Sequence, residues 1–255
     1  MSKLEIYKVK DKHERHYITK KHIFNLPMRL LIVGKSQRSG KSNYLVNLLL
    51  RPEFYLNDFD GENMFIVSGS IKTDMKLRTL VKQKDIPDEN LFEEYDETDI
   101  EGIYEYIEEQ FYEAVENGEK PVQSIIVFDD MSFSGALKNR RNGMISKIFS
   151  NGRHINLSCI VTAQKYSDIN TAARENATGL ILFTCSDKQL DLIADDHSYI
   201  QKKSFKKLFR QNTSKTKHSN FVINYDNDIM ELYLNENYEV IQIPQDEFLH
   251  SNDKN

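Results

Sequence analysis

The 255-residue chain reads as an α/β protein with a mostly parallel central sheet covered by helices on both faces. Two patterns and one junction predict this. Five short apolar runs, mostly β-branched or aromatic, recur through the first 190 residues; stretches with helical spacing separate them; and a glycine-bearing loop joins the first run directly to the first helix. The runs lie at 29–33, 63–67, 124–128, 157–162 and 179–184. Each is continuously apolar rather than alternating, as expected of a strand covered on both sides. The helical stretches include 42–50 with Leu45, Leu48 and Leu49, 100–115 with Ile103, Ile107, Phe111 and Val115, and 142–149. Beyond Ser186 the pattern changes. A short helix over 190–193 and a basic segment precede FVINYD, MELYLNE and YEVIQI, which alternate apolar and polar residues like antiparallel strands. These hold too few apolar residues for a core of their own. The expectation is one domain over 1–255, with a core at about 28–190, a C-terminal helix and β-hairpin addition at 191–245, and flexible tails covering roughly the first ten and the last eleven residues. There is no internal repeat.

Composition narrows the class further. At 39% hydrophobic and 29% charged, with 10 glycines and 5 prolines, the chain is neither collagen-like, low-complexity nor wholly disordered. No apolar run approaches the roughly 18 residues needed to cross a bilayer, and the N-terminus lacks the apolar centre of a secretory signal. The expected location is intracellular or within a particle. Cys159 and Cys185 sit inside apolar runs and read as reduced core residues. The net charge of −5 hides a division: residues 85–119 carry 15 acidic and no basic side chains, leaving 34 basic against 24 acidic elsewhere. Residues 131–167 carry six Lys or Arg and no acid, and residues 201–218 carry seven more. Such strips suit a polyanion or an ordinary solvated surface.

The first apolar run leads into GKSQRSGKS and then into NYLVNLLLR, which Pro52 ends. A strand, a glycine-bearing loop and a helix in that order form a phosphate-binding loop, in which backbone N–H groups and the helix dipole converge on one anion. The nucleotide-contacting set is Gly34, Lys35, Ser36, Gln37, Arg38, Ser39, Gly40, Lys41, Ser42 and Asn43. Lys41 reaches the β- and γ-phosphates, and the Ser42 hydroxyl ligates Mg²⁺. The spacing departs from the usual G-x-x-x-x-G-K-[ST] by one residue, because five residues separate Gly34 from Gly40. Either the loop is one residue longer, or Lys35 takes the first loop position and Gly34 ends the strand.

A phosphate-loop enzyme also needs a carboxylate at the end of a neighbouring buried strand, to hold Mg²⁺, and a group that orients the attacking water. SIIVFDDM supplies Asp129 and Asp130 together, at the carboxyl end of a strand, where open α/β sheets bind ligands. LSCIVTAQ ends in Gln164, whose amide can bond a water or a γ-phosphate oxygen.

GKSQRSGKS, IIVFDDM and NGRHINLSCIVTAQ, in this order and at these separations, resemble the FtsK–HerA superfamily of DNA-pumping ATPases, and within it the poxvirus-type genome-packaging branch. The likeness covers roughly residues 28–185. It implies a RecA-like P-loop NTPase fold, ATP and Mg²⁺ as cofactors, and ATP-driven, sequence-independent translocation of double-stranded DNA into a preformed capsid. It further implies a hexameric or pentameric ring, a capsid or portal vertex protein as partner, and host cytoplasm or the virion as location. By the same resemblance Lys41 and Ser42 are the phosphate and Mg²⁺ residues, Asp129 the metal-side carboxylate, Asp130 the water-activating carboxylate and Gln164 the strand-ending glutamine. Arg153 falls where an arginine finger would reach the next subunit's γ-phosphate; a helix-terminal cation is its plain alternative, and Arg174 is a rival finger. A translocase grips phosphates without reading bases. Lys138, Arg140 and Arg141, in the loop after Asp130, are the first candidates for that grip. Lys202, Lys203, Lys206 and Lys207 in KKSFKKLFR are the second, against a surface helix whose Phe205, Leu208 and Phe209 pack inward. The acidic stretch would face away from DNA. Competing readings are a nucleotide or metabolite kinase on the same sheet and a nucleotide-binding scaffold that does not hydrolyse.

Overall fold

A computed structural model describes residues 23–35, 39–131 and 143–248. Eight strands form one sheet: β1 (Arg29–Val33), β2 (Met64–Ser68), β3 (Leu91–Phe92), β4 (Ser124–Asp129), β5 (Leu157–Ala163), β6 (Gly179–Phe183), β7 (Asn220–Asn224) and β8 (Tyr233–Leu234). Their order is β3-β2-β4-β5-β1-β6-β7-β8. The pairings from β3 through β6 are parallel, and β7 and β8 continue the sheet antiparallel to β6. The five expected strands appear within one residue of their expected limits. The sheet is thus mostly parallel with an antiparallel C-terminal edge, as the sequence pattern predicts.

Side-chain alternation assigns each strand residue to one of two cores. Leu30 and Ile32 of β1 join one cluster with Leu45, Leu48 and Leu49 of α1 (Lys41–Leu50) and Leu77 and Leu80 of α2 (Met75–Lys84). Leu31 and Val33 face the other, filled by α3 (Glu97–Glu116), α4 (Met144–Asn151), α5 (Thr171–Asn176), α6 (Asp187–His197) and α7 (Lys202–Thr213). All seven residues of β5 are buried. At roughly 1.5–3 kcal/mol for each large apolar side chain removed from water, this central strand ties the two layers together.

Several expectations need correction. The core extends beyond 28–190, because Phe24, Leu26, Phe205, Phe209 and Phe221 are all at most 2% exposed and belong to the same two clusters. Residues 245–248, expected as tail, are docked: Phe248 pairs with Ile200, and the Glu247 carbonyl oxygen accepts from the Gln201 N–H at 3.4 Å. The C-terminal addition holds two helices rather than one, and its strands are shorter than the alternation suggested. The acidic stretch forms α3, which buries Ile100, Ile103, Tyr104, Ile107 and Phe111 and turns most of its carboxylates outward. The expected N-terminal tail and the DNA-contact candidates Lys138, Arg140 and Arg141 lie outside the described residues, as do Ser36, Gln37 and Arg38 of the phosphate loop.

Candidate functional site

Because β1, β2, β4, β5 and β6 are parallel, their carboxyl ends share one rim. Gly34 follows β1, Asp129 and Asp130 end β4, and Gln164 follows β5, so the sequence-predicted groups meet there. Gly34 continues the ladder, its N–H donating to the Ala163 carbonyl at 3.1 Å. A Cβ at Gly34 would stand 2.7 Å from the Phe183 Cβ, so the glycine permits close approach of β6. This favours the second of the two readings of the loop: Gly34 ends the strand. Gly40 adopts φ +97°, a left-handed conformation that glycine tolerates, and among the described residues no side chain caps α1. The first N–H groups of α1 therefore remain available to an anion.

The Lys41 side chain is buried, and its Nζ donates to the carbonyl oxygens of Gly34 at 2.7 Å and Lys35 at 3.2 Å. Burial draws its pKa below the usual lysine range, opposed by the nearby charges of Asp130 and then Asp129. Asp129 is 3% exposed. Its Oδ1 accepts from the Thr162 hydroxyl at 2.7 Å, and Ser68 Oγ stands 3.5 Å from Oδ2. Burial raises the Asp129 pKa, the Thr162 bond opposes that rise, the charges of Asp130 and Asp74 add to it and Lys41 opposes it. Thr162 holds both aspartates, one by its carboxylate and the other by its backbone, because the Thr162 oxygen also accepts the Asp130 backbone N–H at 2.9 Å. That contact accompanies φ 50° at Asp130, a conformation aspartate adopts more readily than most residues. Gln164 Nε2 donates to the two oxygens of the Asp130 carboxylate at 2.8 and 3.1 Å.

Ser42 follows Lys41 in the first turn of α1. Among the described residues no three His, Cys, Asp or Glu side chains stand together at metal-binding spacing. The local donors are instead a serine hydroxyl and a buried carboxylate, hard oxygens that suit Mg²⁺ shared with a polyphosphate rather than a dedicated protein cage. The residues present fit that ion.

Both arginine candidates lie at the opposite rim. Arg153 sits in the turn before β5 and Arg174 in α5 before β6, and with Arg29 they line a cavity of about 620 Å³ at the amino ends of the strands. A seven-residue strand is about 23 Å long, so neither reaches the phosphate loop of its own chain. Their environments differ. Arg174 is 13% exposed, paired with Asp196 at 2.9 Å, stacked 5.0 Å over the Tyr166 ring, and its Nη2 donates to Thr171 Oγ1 at 3.2 Å. Arg153 is exposed, with a bond of 3.3 Å from its Nε to His154 Nε2. Arg174 is committed to internal packing, and Arg153 is open to a neighbour.

In α7, Phe205 and Phe209 pack inward and Leu208 is half-buried, as the surface-helix alternative predicted. Lys202 pairs with Asp195 at 2.6 Å and Lys206 with Asp191 at 2.7 Å, both from α6, whereas Lys203 and Lys207 are exposed. The basic strip is thus partly neutralised by the preceding helix. Sequence reasoning missed Thr162, which sits inside an apolar run and resembled β-branched filler. Its position two residues before Gln164, on a strand beside the aspartate strand, was the available signal.

A family profile described as "Poxvirus A32 protein" matches residues 94–248, more than half of the chain, including Asp129, Asp130, Arg153 and Gln164. No curated protein matches the sequence. The genome packaging NTPase B204 from Sulfolobus turreted icosahedral virus 2 in complex with AMP superposes with a TM-score of 0.52 and 13% identity, covering 77% of this chain and 92% of that one. The same protein in complex with sulfate gives 0.52 and 16%, covering 80% and 94%. EssC (ATPases 2 and 3) from Geobacillus thermodenitrificans gives 0.51 and 17%, covering 69% of this chain and 35% of that one. These likenesses establish a shared fold.

Proposed function

The chain belongs to the Poxvirus A32 protein family, within the FtsK–HerA superfamily of P-loop ATPases, and on that premise we propose that it is a genome-packaging ATPase that moves double-stranded DNA into a capsid. The observation that carries this is the meeting of Lys41, Asp129, Asp130 and Gln164 at one rim of a parallel sheet, with Thr162 bonded to both aspartates.

In this reading Lys41 leaves the Gly34 and Lys35 carbonyls and bonds the β- and γ-phosphate oxygens, beside the uncapped N–H groups of α1. Ser42 and Asp129 would hold Mg²⁺, which would supply neutralisation of the phosphate charge. Asp130 accepts a proton from a water whose oxygen attacks the γ-phosphorus as the bond to the leaving ADP oxygen breaks. Gln164, already bonded to Asp130, orients that water or reports the γ-phosphate. Arg153 of one subunit completes the site of the next, because its own rim faces away from its own phosphate loop. The whole chain acts as one domain, and subunits assemble into a ring of five or six that docks on a capsid or portal vertex protein. Lys138, Arg140 and Arg141, with Lys203 and Lys207, supply non-specific contacts to DNA phosphates.

The test is ATP turnover of the native chain and of Lys41→Ala, with and without double-stranded DNA of unrelated sequences. Turnover that rises with any DNA and falls to background in Lys41→Ala is the expected result. Turnover indifferent to DNA, with phosphate passed to a small acceptor, would identify a kinase. Equal turnover in the two proteins would refute the assignment of the loop.

A further inference from the structure

A cavity of about 510 Å³ opens at the phosphate loop and continues along α1. Its near end is Gly40 and Lys41, and its far end is Asn47, Arg51 and Phe54. The helical rise of 1.5 Å per residue sets Gly40 and Arg51 about 16 Å apart. The volume falls within the range of roughly 300–1,000 Å³ typical of small-molecule sites. Phosphates at the near end would leave the far end for whatever is attached to them.

Besides Lys76 of α2 and Phe183 of β6, two lining residues come from outside the phosphate-loop core. These are His218, in the turn before β7, and Glu236, in the turn after β8. Both are held in register with α1. His218 Nδ1 lies 3.5 Å from the Ser39 carbonyl oxygen, and a Cβ added at Gly40 would stand 3.1 Å from the same nitrogen. Beside Glu236, the hydroxyl of Tyr238 accepts from Tyr44 of α1 at 2.7 Å, and the Tyr238 ring packs on Phe54 with centroids 5.6 Å apart. The lining carries charges of both signs. Lys41, Arg51 and Lys76 are cationic, and Glu236 is the sole acidic group among the described lining residues. A carboxylate repels phosphate and accepts hydrogen bonds, so its ligand is an uncharged part of the molecule that carries N–H donors.

Resting on the assignment of the phosphate loop, we infer that the C-terminal antiparallel addition forms the nucleoside wall of the site: Glu236 accepts a hydrogen bond from the exocyclic amino group of the base, Phe54 supplies an apolar face, and His218 lies beside the sugar–phosphate junction. The ligand class is a nucleoside triphosphate whose base bears an amino group. Neither the loop motif nor the carboxylate strand predicts this, since His218 and Glu236 lie 178 and 196 residues beyond Gly40 and 88 and 106 beyond Asp130.

The test is equilibrium titration of the full chain in Mg²⁺ with ATP, with ITP, which has a carbonyl in place of the amino group, and with inorganic tripolyphosphate. The native protein should bind ATP about tenfold more tightly than tripolyphosphate. Glu236→Gln and His218→Ala should each weaken ATP about five- to tenfold while leaving tripolyphosphate unchanged, which also shows that the variants are folded. Glu236→Gln should also narrow the preference for ATP over ITP. Variants that bind ATP as the native chain does, or a native chain that binds ATP and tripolyphosphate equally, would overturn the wall. A native chain that binds neither would refute the loop assignment itself, and the wall with it.

Discussion

Thr162→Val replaces a hydroxyl by a methyl of nearly the same shape, in a strand where every residue is buried. Two bonds disappear together: the one donated to Asp129 at 2.7 Å and the one accepted from the Asp130 N–H at 2.9 Å. The first is a charge-assisted bond to a carboxylate that is 3% exposed, worth about 1.5–3 kcal/mol, and the second leaves a part-buried donor without this partner at about 1 kcal/mol. The expected loss of stability is therefore about 2–4 kcal/mol, read as a shift in the urea midpoint at unchanged slope. The Asp129 carboxylate and the Asp130 backbone each lose a positioning contact, so ATP turnover should fall roughly 10- to 100-fold, in the range seen when groups that orient metal ligands are removed. Thr162→Ser keeps the hydroxyl and should recover most of the turnover while losing only the packing of one methyl. If Thr162→Val unfolds within 0.5 kcal/mol of the native chain and turns over ATP equally fast, the two aspartates do not depend on this hydroxyl and the reasoning fails.

Three further outcomes follow from the same geometry. Arg174→Ala should cost about 2 kcal/mol, because Asp196 loses its cationic partner, keeping only the Tyr166 hydroxyl, and the Tyr166 ring loses its cation, whereas Arg153→Ala should unfold within about 0.5 kcal/mol of the native chain and still lose most of its ATP turnover. Mixing Arg153→Ala with Asp130→Ala subunits should restore part of that turnover, and a mixture as inactive as its components would remove the role given to Arg153. His197 is 4% exposed, bonded to Tyr166 and Tyr225 through its two ring nitrogens, and burial lowers its pKa to about 4 despite Asp196 nearby. The unfolded chain takes up this proton near pH 6.5 and the folded chain only near pH 4, so stability is full above pH 6.5 and declines as pH falls between the two. From pH 7 to pH 5 the loss is about 2 kcal/mol from this group, and His197→Gln should show that much less acid sensitivity in urea titrations at the two pH values. Equal acid sensitivity in the two proteins would mean that His197 is protonated in the folded chain.

The strands were legible because a sheet covered on both faces demands unbroken apolar runs, and 29–33, 124–128 and 157–162 have no other interpretation at that length. α2 escaped notice because only Leu77 and Leu80 are buried on it; its clearest mark is Asp74, whose side chain accepts the Lys76 N–H at the helix start. Position along the rim was also legible, since chain order fixes which end of each parallel strand a residue occupies. That is why Asp129, Asp130 and Gln164 meet, and why Arg153 sits at the other end. Pairing between elements was not legible. The basic strip over 201–218 reads as an open cationic surface until α6 places Asp187, Asp191 and Asp195 against Arg210, Lys206 and Lys202. Likewise, nothing in QDEFLHSNDKN signals that Phe248 pairs with Ile200.

The sheet ends on both sides in strands only two residues long, β3 and β8. Beyond β8 the chain folds back on itself, with the Ile241 N–H donating to Tyr233 and the Asn235 N–H to Glu239. Among the described residues such short margins offer little backbone to template strand addition, the usual route by which wide sheets recruit unrelated chains and aggregate. Crowded copies of this protein are therefore steered toward contacts between side chains, which can be specific, reversible and timed.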